Sequence, residues 1–420
     1  MQTDNSPATS VVIIGGGQAG LEAAAALRTQ GFAGRVTLIC EEAQAPYQRP
    51  PLSKDYLHGK QEADRLPLRA PAFFENQNIE LLLNTSATKI DRAARTVELR
   101  KDVSNGQLLP FDYLILAMGA RNRPLPIEGA GRAVYLRSLP EAQALRERMP
   151  NATSVAVIGG GFIGLEAAAA ARHYGKAVSV IETLPRLMAR AVSPVVSQFF
   201  LDLHTKNGVN VLLPAAAVAL DDGGVALTDG RHVPADLVIA GIGVIPETSL
   251  ARDAGLAVGN GIVVDEFLRT VDEFLQMNDP RIFAIGDCAQ HPNCFSQTGA
   301  VRLESVQNAI DQAKCAARGI IAAGKGLESP PYADVPWFWT DQFDVRFQMA
   351  GLSAGHDQQV LRGSVEDGKF SLFYFKNGQL IAADSVNRLT DHIGVRKLLG
   401  ARRSITEEQA ADPNLDLRKL

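Results

Sequence analysis

Val11-Val12-Ile13-Ile14 runs directly into Gly15-Gly16-Gly17-Gln18-Ala19-Gly20 and then LEAAAALRTQ, and the phrase returns as Val155-Ala156-Val157-Ile158, Gly159-Gly160-Gly161-Phe162-Ile163-Gly164 and LEAAAAARHYG. Each copy reads as an apolar β-branched strand, a G-x-G-x-x-G turn and an Ala-rich helix, the arrangement that holds a dinucleotide. In it Gly15 and Gly159 permit the tight turn, Gly17 and Gly161 let the backbone approach a pyrophosphate, and Gly20 and Gly164 let the helix pack closely on the strand. The pyrophosphate is then met by the unbonded N–H groups and the positive dipole end of the helix. Each copy continues into a second strand ending at an acid: Arg35 to Cys40 before Glu41 and Glu42, and Ala177 to Ile181 before Glu182. A carboxylate there accepts hydrogen bonds from a ribose hydroxyl pair. One glycine turn is weak support; two, each with strand, helix and acid, give two dinucleotide sites. Glu182 repels a 2′-phosphate, so NADH is expected over NADPH, with Arg186 and Arg190 just downstream softening the preference.

The rest of the composition narrows the class. The chain has 420 residues, 46% hydrophobic and 21% charged, an ordinary globular balance that suggests about two to three domains. Forty-two Lys and Arg against 46 Asp and Glu leave a net charge of −4, no electrostatic reason to expect nucleic acid or a membrane surface as partner. No apolar run approaches the ~20 residues of a membrane span, and the polar start MQTDNSPATS does not read as a signal peptide. The four cysteines, Cys40, Cys288, Cys294 and Cys315, form no CxxC, which fits a reducing cytoplasm. The seven histidines lack HxxH or HExxH spacing, so no metal site is expected. Gly351 to Gly355 matches GxSxG, but a strand pattern follows where a hydrolase needs a helix. Gly319 to Lys325 matches GxxxxGK without the Ser/Thr that would hold Mg²⁺ or a strand leading in.

Further motifs make the chain recognisable. It resembles the FAD-dependent NADH:ferredoxin reductases of the putidaredoxin reductase type, which serve cytochrome P450 and ring-hydroxylating dioxygenase systems. The resemblance rests on Pro50-Pro51-Leu52-Ser53-Lys54, Leu116-Ala117-Met118-Gly119-Ala120, Tyr135-Leu136-Arg137, Ala240-Gly241-Ile242-Gly243, Ala284-Ile285-Gly286-Asp287, Arg302-Leu303-Glu304-Ser305 and Pro336 to Gln342 (PWFWTDQ). It implies FAD at the first site, with Glu41 on the adenosine ribose, Asp287 on the ribityl chain, Val306 and Trp337 by the isoalloxazine, and Ala19, Arg49, Pro50, Ala87 and Arg137 lining the cofactor. It implies NADH at the second, with Phe162, Ile163, Glu166, Thr183, Arg190 and Gly243 around it. Lys54 and Glu166, the implied catalytic residues, would pair beside the flavin. Without the resemblance, Lys54 reads as a solvated loop charge and Phe162 equally well as a helix-packing ring. Met118 stands where the family usually has Thr, so one hydroxyl is missing.

Hydride from NADH to the flavin, then single electrons to a 2Fe–2S ferredoxin, is the implied cycle. The loop from Tyr47 to Lys54 has no cysteine, so disulfide exchange lacks its nucleophile. Rival readings are a rubredoxin or monodehydroascorbate reductase, or a signalling flavoprotein like apoptosis-inducing factor. An acidic ferredoxin calls for a local basic patch, with Arg65, Arg69, Arg302, Lys314 and Arg318 as candidates. The expected fold is α/β: a discontinuous Rossmann-like FAD domain (1–122 and 248–331), an inserted Rossmann-like NADH domain (123–247) and a C-terminal α+β domain with an antiparallel sheet (332–420), as a monomer or weak dimer. In that last domain Lys376-Asn377-Gly378 reads as a hairpin turn, and the polar end ITEEQAADPNLDLRKL as peripheral.

Overall fold

A computed structural model describes residues 9–101, 104–274 and 278–420, with the side chains of 104 and 105 left aside. Both glycine phrases form the predicted unit. Strand Ser10–Ile14 leads to helix Gln18–Thr29 and strand Arg35–Ile39, with parallel register from Ser10↔Arg35 to Ile14↔Ile39. The second copy gives Ser154–Ile158, Phe162–His173 and Ala177–Ile181, again parallel. Val11, Val12 and Ile13 are at most 1% exposed, because a parallel strand covered on both faces is apolar at every position. Cys40 lies just past its strand, which ends at Ile39.

The chain divides into two compact units. The first takes residues up to Tyr47, Pro67–Ala120 and Pro246–Phe338. Its six-stranded sheet has the order Arg269–Val271, Asn278–Ala284, Tyr113–Leu116, Ser10–Ile14, Arg35–Ile39 and Ile79–Leu82. The second takes Gln48–Leu66, Arg121–Ile245 and Trp339–Leu420. Its parallel sheet runs Val209–Leu212, Ala177–Ile181, Ser154–Ile158 and Leu237–Ala240.

The expected C-terminal sheet has five strands, in the order Trp337–Gln342, Val345–Gly351, Gln379–Val386, Lys369–Lys376 and Gln358–Ser364. Asn377 and Gly378 turn the hairpin with φ of 49° and 71°, the left-handed pair that matches strand twist in a two-residue turn. The last stretch departs from expectation. Ile405, Ala410 and Leu417 are 4% exposed or less, and Arg362, itself buried, donates to the carbonyl of Leu415. Average polarity concealed these three apolar positions, which dock the tail. Both decoy motifs fall as expected: Gly351 ends one strand and Gln358–Ser364 is the next, while Gly319 lies inside helix Val306–Gly324. No helix among the described residues is long and apolar enough to cross a membrane.

Candidate functional site

The first glycine turn is a cradle with one open position. A Cβ on Gly15, whose φ is +116°, would stand 2.2 Å from the Ala117 carbonyl oxygen, and one on Gly20 would stand 1.9 Å from that of Gly15. A Cβ on Gly17 would meet nothing within 4 Å. Two glycines are therefore demanded by the protein itself, while the third keeps space clear at the N-terminus of helix Gln18–Thr29, the kind of position that can receive a pyrophosphate. Ala19 is buried in that helix's first turn. The two acids after the second strand divide their work. Glu42 accepts from the Tyr47 hydroxyl at 2.5 Å, whereas Glu41 is exposed with Ser86 Oγ at 3.2 Å, one residue before Ala87. Gly286, at φ +73°, starts the turn that carries Asp287, and its N–H donates to Gln312 Oε1 at 2.7 Å. Val306 opens helix Val306–Gly324, capped by Ser305, and the Trp337 N–H donates to Gln307 Oε1 at 3.0 Å. The first unit thus brings Trp337 to the helix end that Val306 begins.

The second turn repeats the construction. Cβ atoms on Gly159 and Gly164 would lie 2.4 Å from the Gly241 oxygen and 2.0 Å from the Gly159 oxygen, and Gly161 again faces open space. Glu182 reaches back into this turn, accepting from the N–H of Gly160 at 2.7 Å and of Leu184 at 2.7 Å. Ile163, 45% exposed, and Gly243, with φ +94°, flank it, and Thr183 donates its hydroxyl to Glu182 at 3.1 Å. Arg186 is not available to a ligand: it donates to the Val192 and Ala189 carbonyls and to Ser197 Oγ at 2.6, 2.7 and 2.7 Å. Arg190, by contrast, is exposed. The Phe162 ring stacks on Phe347, centroids 6.4 Å apart and 23° from parallel.

Lys54 is no surface charge. The Pro-rich segment folds as the 3₁₀ turn Pro50–Ser53, with Leu52 and Ser53 buried. Arg49 at its start donates to the Arg137 carbonyl at 2.8 Å. Lys54 Nζ lies 2.7 Å from Glu166 Oε1, with the side chains 18% and 1% exposed. A carboxylate this deeply buried needs donors on both oxygens. Thr340 Oγ1 donates to Oε1 at 2.5 Å and Ser53 Oγ to Oε2. Ser53, Thr340, Gln342 and His204 form a network that the sequence reading missed. Thr340 and Gln342 stand two apart on one strand and so share a face, which was the available clue.

Three of the four cysteines are buried, and Cys294 is exposed. Burial pushes the Cys40 thiol to about 12, with nearby Glu42 adding to it, and the Cys288 and Cys315 thiols to about 11. Three thiols so rarely ionised make poor nucleophiles. The described residues contain no metal-like cluster of His, Cys, Asp and Glu. The expected basic patch is thinner than supposed. Arg302 is 10% exposed, bonded to the Asp287 carbonyl and paired with Glu304, and Arg318 is half-buried. Arg69 pairs with Glu22 at 3.1 Å and the exposed Lys314 with Asp311 at 3.2 Å, while Arg65 is exposed.

Two glycine cradles, two carboxylates at strand ends and a buried Lys–Glu pair define a two-nucleotide redox protein. Residues 9–313 match the pyridine nucleotide-disulphide oxidoreductase family and residues 337–420 the reductase C-terminal family. The chain belongs to the former family, and to its branch of ferredoxin reductases. It is 47% identical over 416 residues to rhodocoxin reductase of Rhodococcus erythropolis, covering 97% of this chain and 93% of that protein. The crystal structure of the ferredoxin reductase for the CYP199A2 system from Rhodopseudomonas palustris superposes with a TM-score of 0.90 at 44% identity, over 98% of this chain and 99% of that one. The reductase in a covalent putidaredoxin reductase–putidaredoxin complex also gives 0.90, at 37% identity, over 98% and 97%. Membership implies a flavin and a nicotinamide nucleotide, and both turns have the room for one.

Proposed function

We propose that this protein is an NADH:ferredoxin reductase that carries FAD in its first unit and passes electrons to a 2Fe–2S ferredoxin. The observation that carries this reading is the pair of open glycines, Gly17 and Gly161, in a chain whose buried thiols cannot serve disulfide exchange. The relatives' names agree, each a reductase of a small electron carrier. A flavin supplies the chemistry of taking up a hydride and releasing electrons one at a time. The chain supplies binding and charge. Gly17 and the following helix receive the FAD pyrophosphate, Glu41 the adenosine ribose, and Asp287 the ribityl hydroxyls. Gly161 and Glu182 receive NADH in the same manner, and Glu182 disfavours the 2′-phosphate of NADPH. Lys54, held by Glu166, supplies the positive charge that favours the reduced flavin.

The acceptor enters through charge. With Arg65 and Lys314 exposed, an acidic ferredoxin is steered by long-range attraction that salt screens. Raising the salt to about 0.5 M is expected to lower ferredoxin-linked cytochrome c reduction several-fold, while anaerobic flavin reduction by NADH stays within about twofold. Equal sensitivity of both steps, or of neither, contradicts steered ferredoxin docking.

A further inference from the structure

Glu166 is the end of a buried hydrogen-bond chain. Thr340 Oγ1 donates to Glu166 Oε1 at 2.5 Å, Gln342 Nε2 donates to Thr340 Oγ1 at 3.3 Å, and His204 Nε2 lies 2.9 Å from Gln342 Oε1. Thr340, Gln342 and His204 are each 1% exposed or less. Their elements are far apart in sequence: Glu166 is on helix Phe162–His173, His204 on helix Pro194–Lys206, and the other two on strand Trp337–Gln342.

Each donor direction is forced. An ionised carboxylate only accepts, so Thr340 must turn its hydroxyl hydrogen to Glu166. Its oxygen then accepts from the Gln342 amide, whose own oxygen is left facing the imidazole. His204 must therefore donate from Nε2. Burial holds its conjugate acid down to about 4, against a weaker opposing pull from Gln342, so near neutrality the ring carries a single proton and Nδ1 is bare. Nδ1 has no hydrogen-bond partner among the described residues.

We propose that His204 and Gln342 are positioning residues: through Thr340 they fix the tautomer, hydroxyl direction and carboxylate orientation that aim Glu166 at Lys54. Bonds linked in this way polarise one another, so a change at one end is felt at the other. The kinetic consequence rests on the proposed reductase function; the coupling itself does not.

Two measurements on the FAD-loaded protein test this. In the oxidised state, before any NADH is added, the ¹⁵N signals of the His204 ring should show a protonated Nε2 and a bare Nδ1 near neutral pH. Glu166→Gln should displace the Nε2 signal. An unmoved signal, or the opposite tautomer, overturns the chain. In stopped-flow reduction, Thr340→Val should lower the limiting rate about 10-fold, within what small misplacements cost, with the apparent NADH affinity within about twofold. Thr340→Ser should restore the rate. Wild-type limiting rates in Thr340→Val overturn the positioning role even if the fold is destabilised. If NADH fails to reduce the wild-type flavin, the proposed function falls while the imidazole signals still decide the coupling.

Discussion

Lys54→Met is expected to slow flavin reduction by NADH about 100-fold while FAD remains bound, the loss typical of removing one preorganised charge from a water-poor site. Lys54 Nζ stands 2.7 Å from Glu166 Oε1, and Glu166 is 2% exposed. Methionine keeps most of the stem's bulk but leaves the carboxylate without its cation. Breaking a buried pair costs ~3–5 kcal/mol when the remaining charge is left bare. Here Ser53 and Thr340 still donate to both carboxylate oxygens, so the protein should fold and carry its cofactor. The effect is then concentrated in the reaction. Anaerobic stopped-flow rates, with FAD content measured on the same sample, check this. An unchanged rate would make the pair a structural staple only.

Gly161→Val should weaken NADH binding about 100-fold, close to 3 kcal/mol, and leave thermal stability and FAD content at wild-type values. Gly161 has φ −83° and ψ −178°, an extended conformation any residue accepts, and a Cβ there meets no protein atom within 4 Å. The added bulk enters the open space in which the proposed function places NADH. Gly159→Ala is the control with the opposite expectation. Its φ is +109° and its Cβ would press to 2.4 Å from the Gly241 oxygen, so it should lose ~2 kcal/mol or more of stability through strain and overpacking. Fluorescence titration with NADH and thermal melts separate the two. If Gly161→Val binds NADH normally, the second turn is not a nucleotide site.

The folds of both dinucleotide units were legible because their residues carry local necessities. A buried parallel strand must be apolar throughout, and a turn pressed against a carbonyl oxygen must be glycine, so Val11 to Gly20 and Val155 to Gly164 announce themselves. The Asn377-Gly378 hairpin is legible for the same kind of reason. Residues whose meaning depends on distant neighbours were not. Lys54 alone reads as a solvated charge; its pairing with Glu166 was legible only through the family resemblance, and the fold brings the two together from a loop and a separate helix. His204 and Gln342, 138 residues apart, carry no pattern that a linear reading detects. A count of charges misleads in the opposite sense. Arg302 counts as a charge in the sequence, yet the fold spends it on the Asp287 carbonyl and Glu304.

Anaerobic titration of the purified protein with NADH, in parallel with NADPH, followed by addition of an oxidised 2Fe–2S ferredoxin, tests the central claim most directly. Rapid bleaching of the flavin absorbance by NADH, much slower bleaching by NADPH, and prompt recovery of the oxidised spectrum on adding ferredoxin are the predicted results. A protein that takes up no FAD, or one that NADH reduces but ferredoxin leaves reduced, would contradict it.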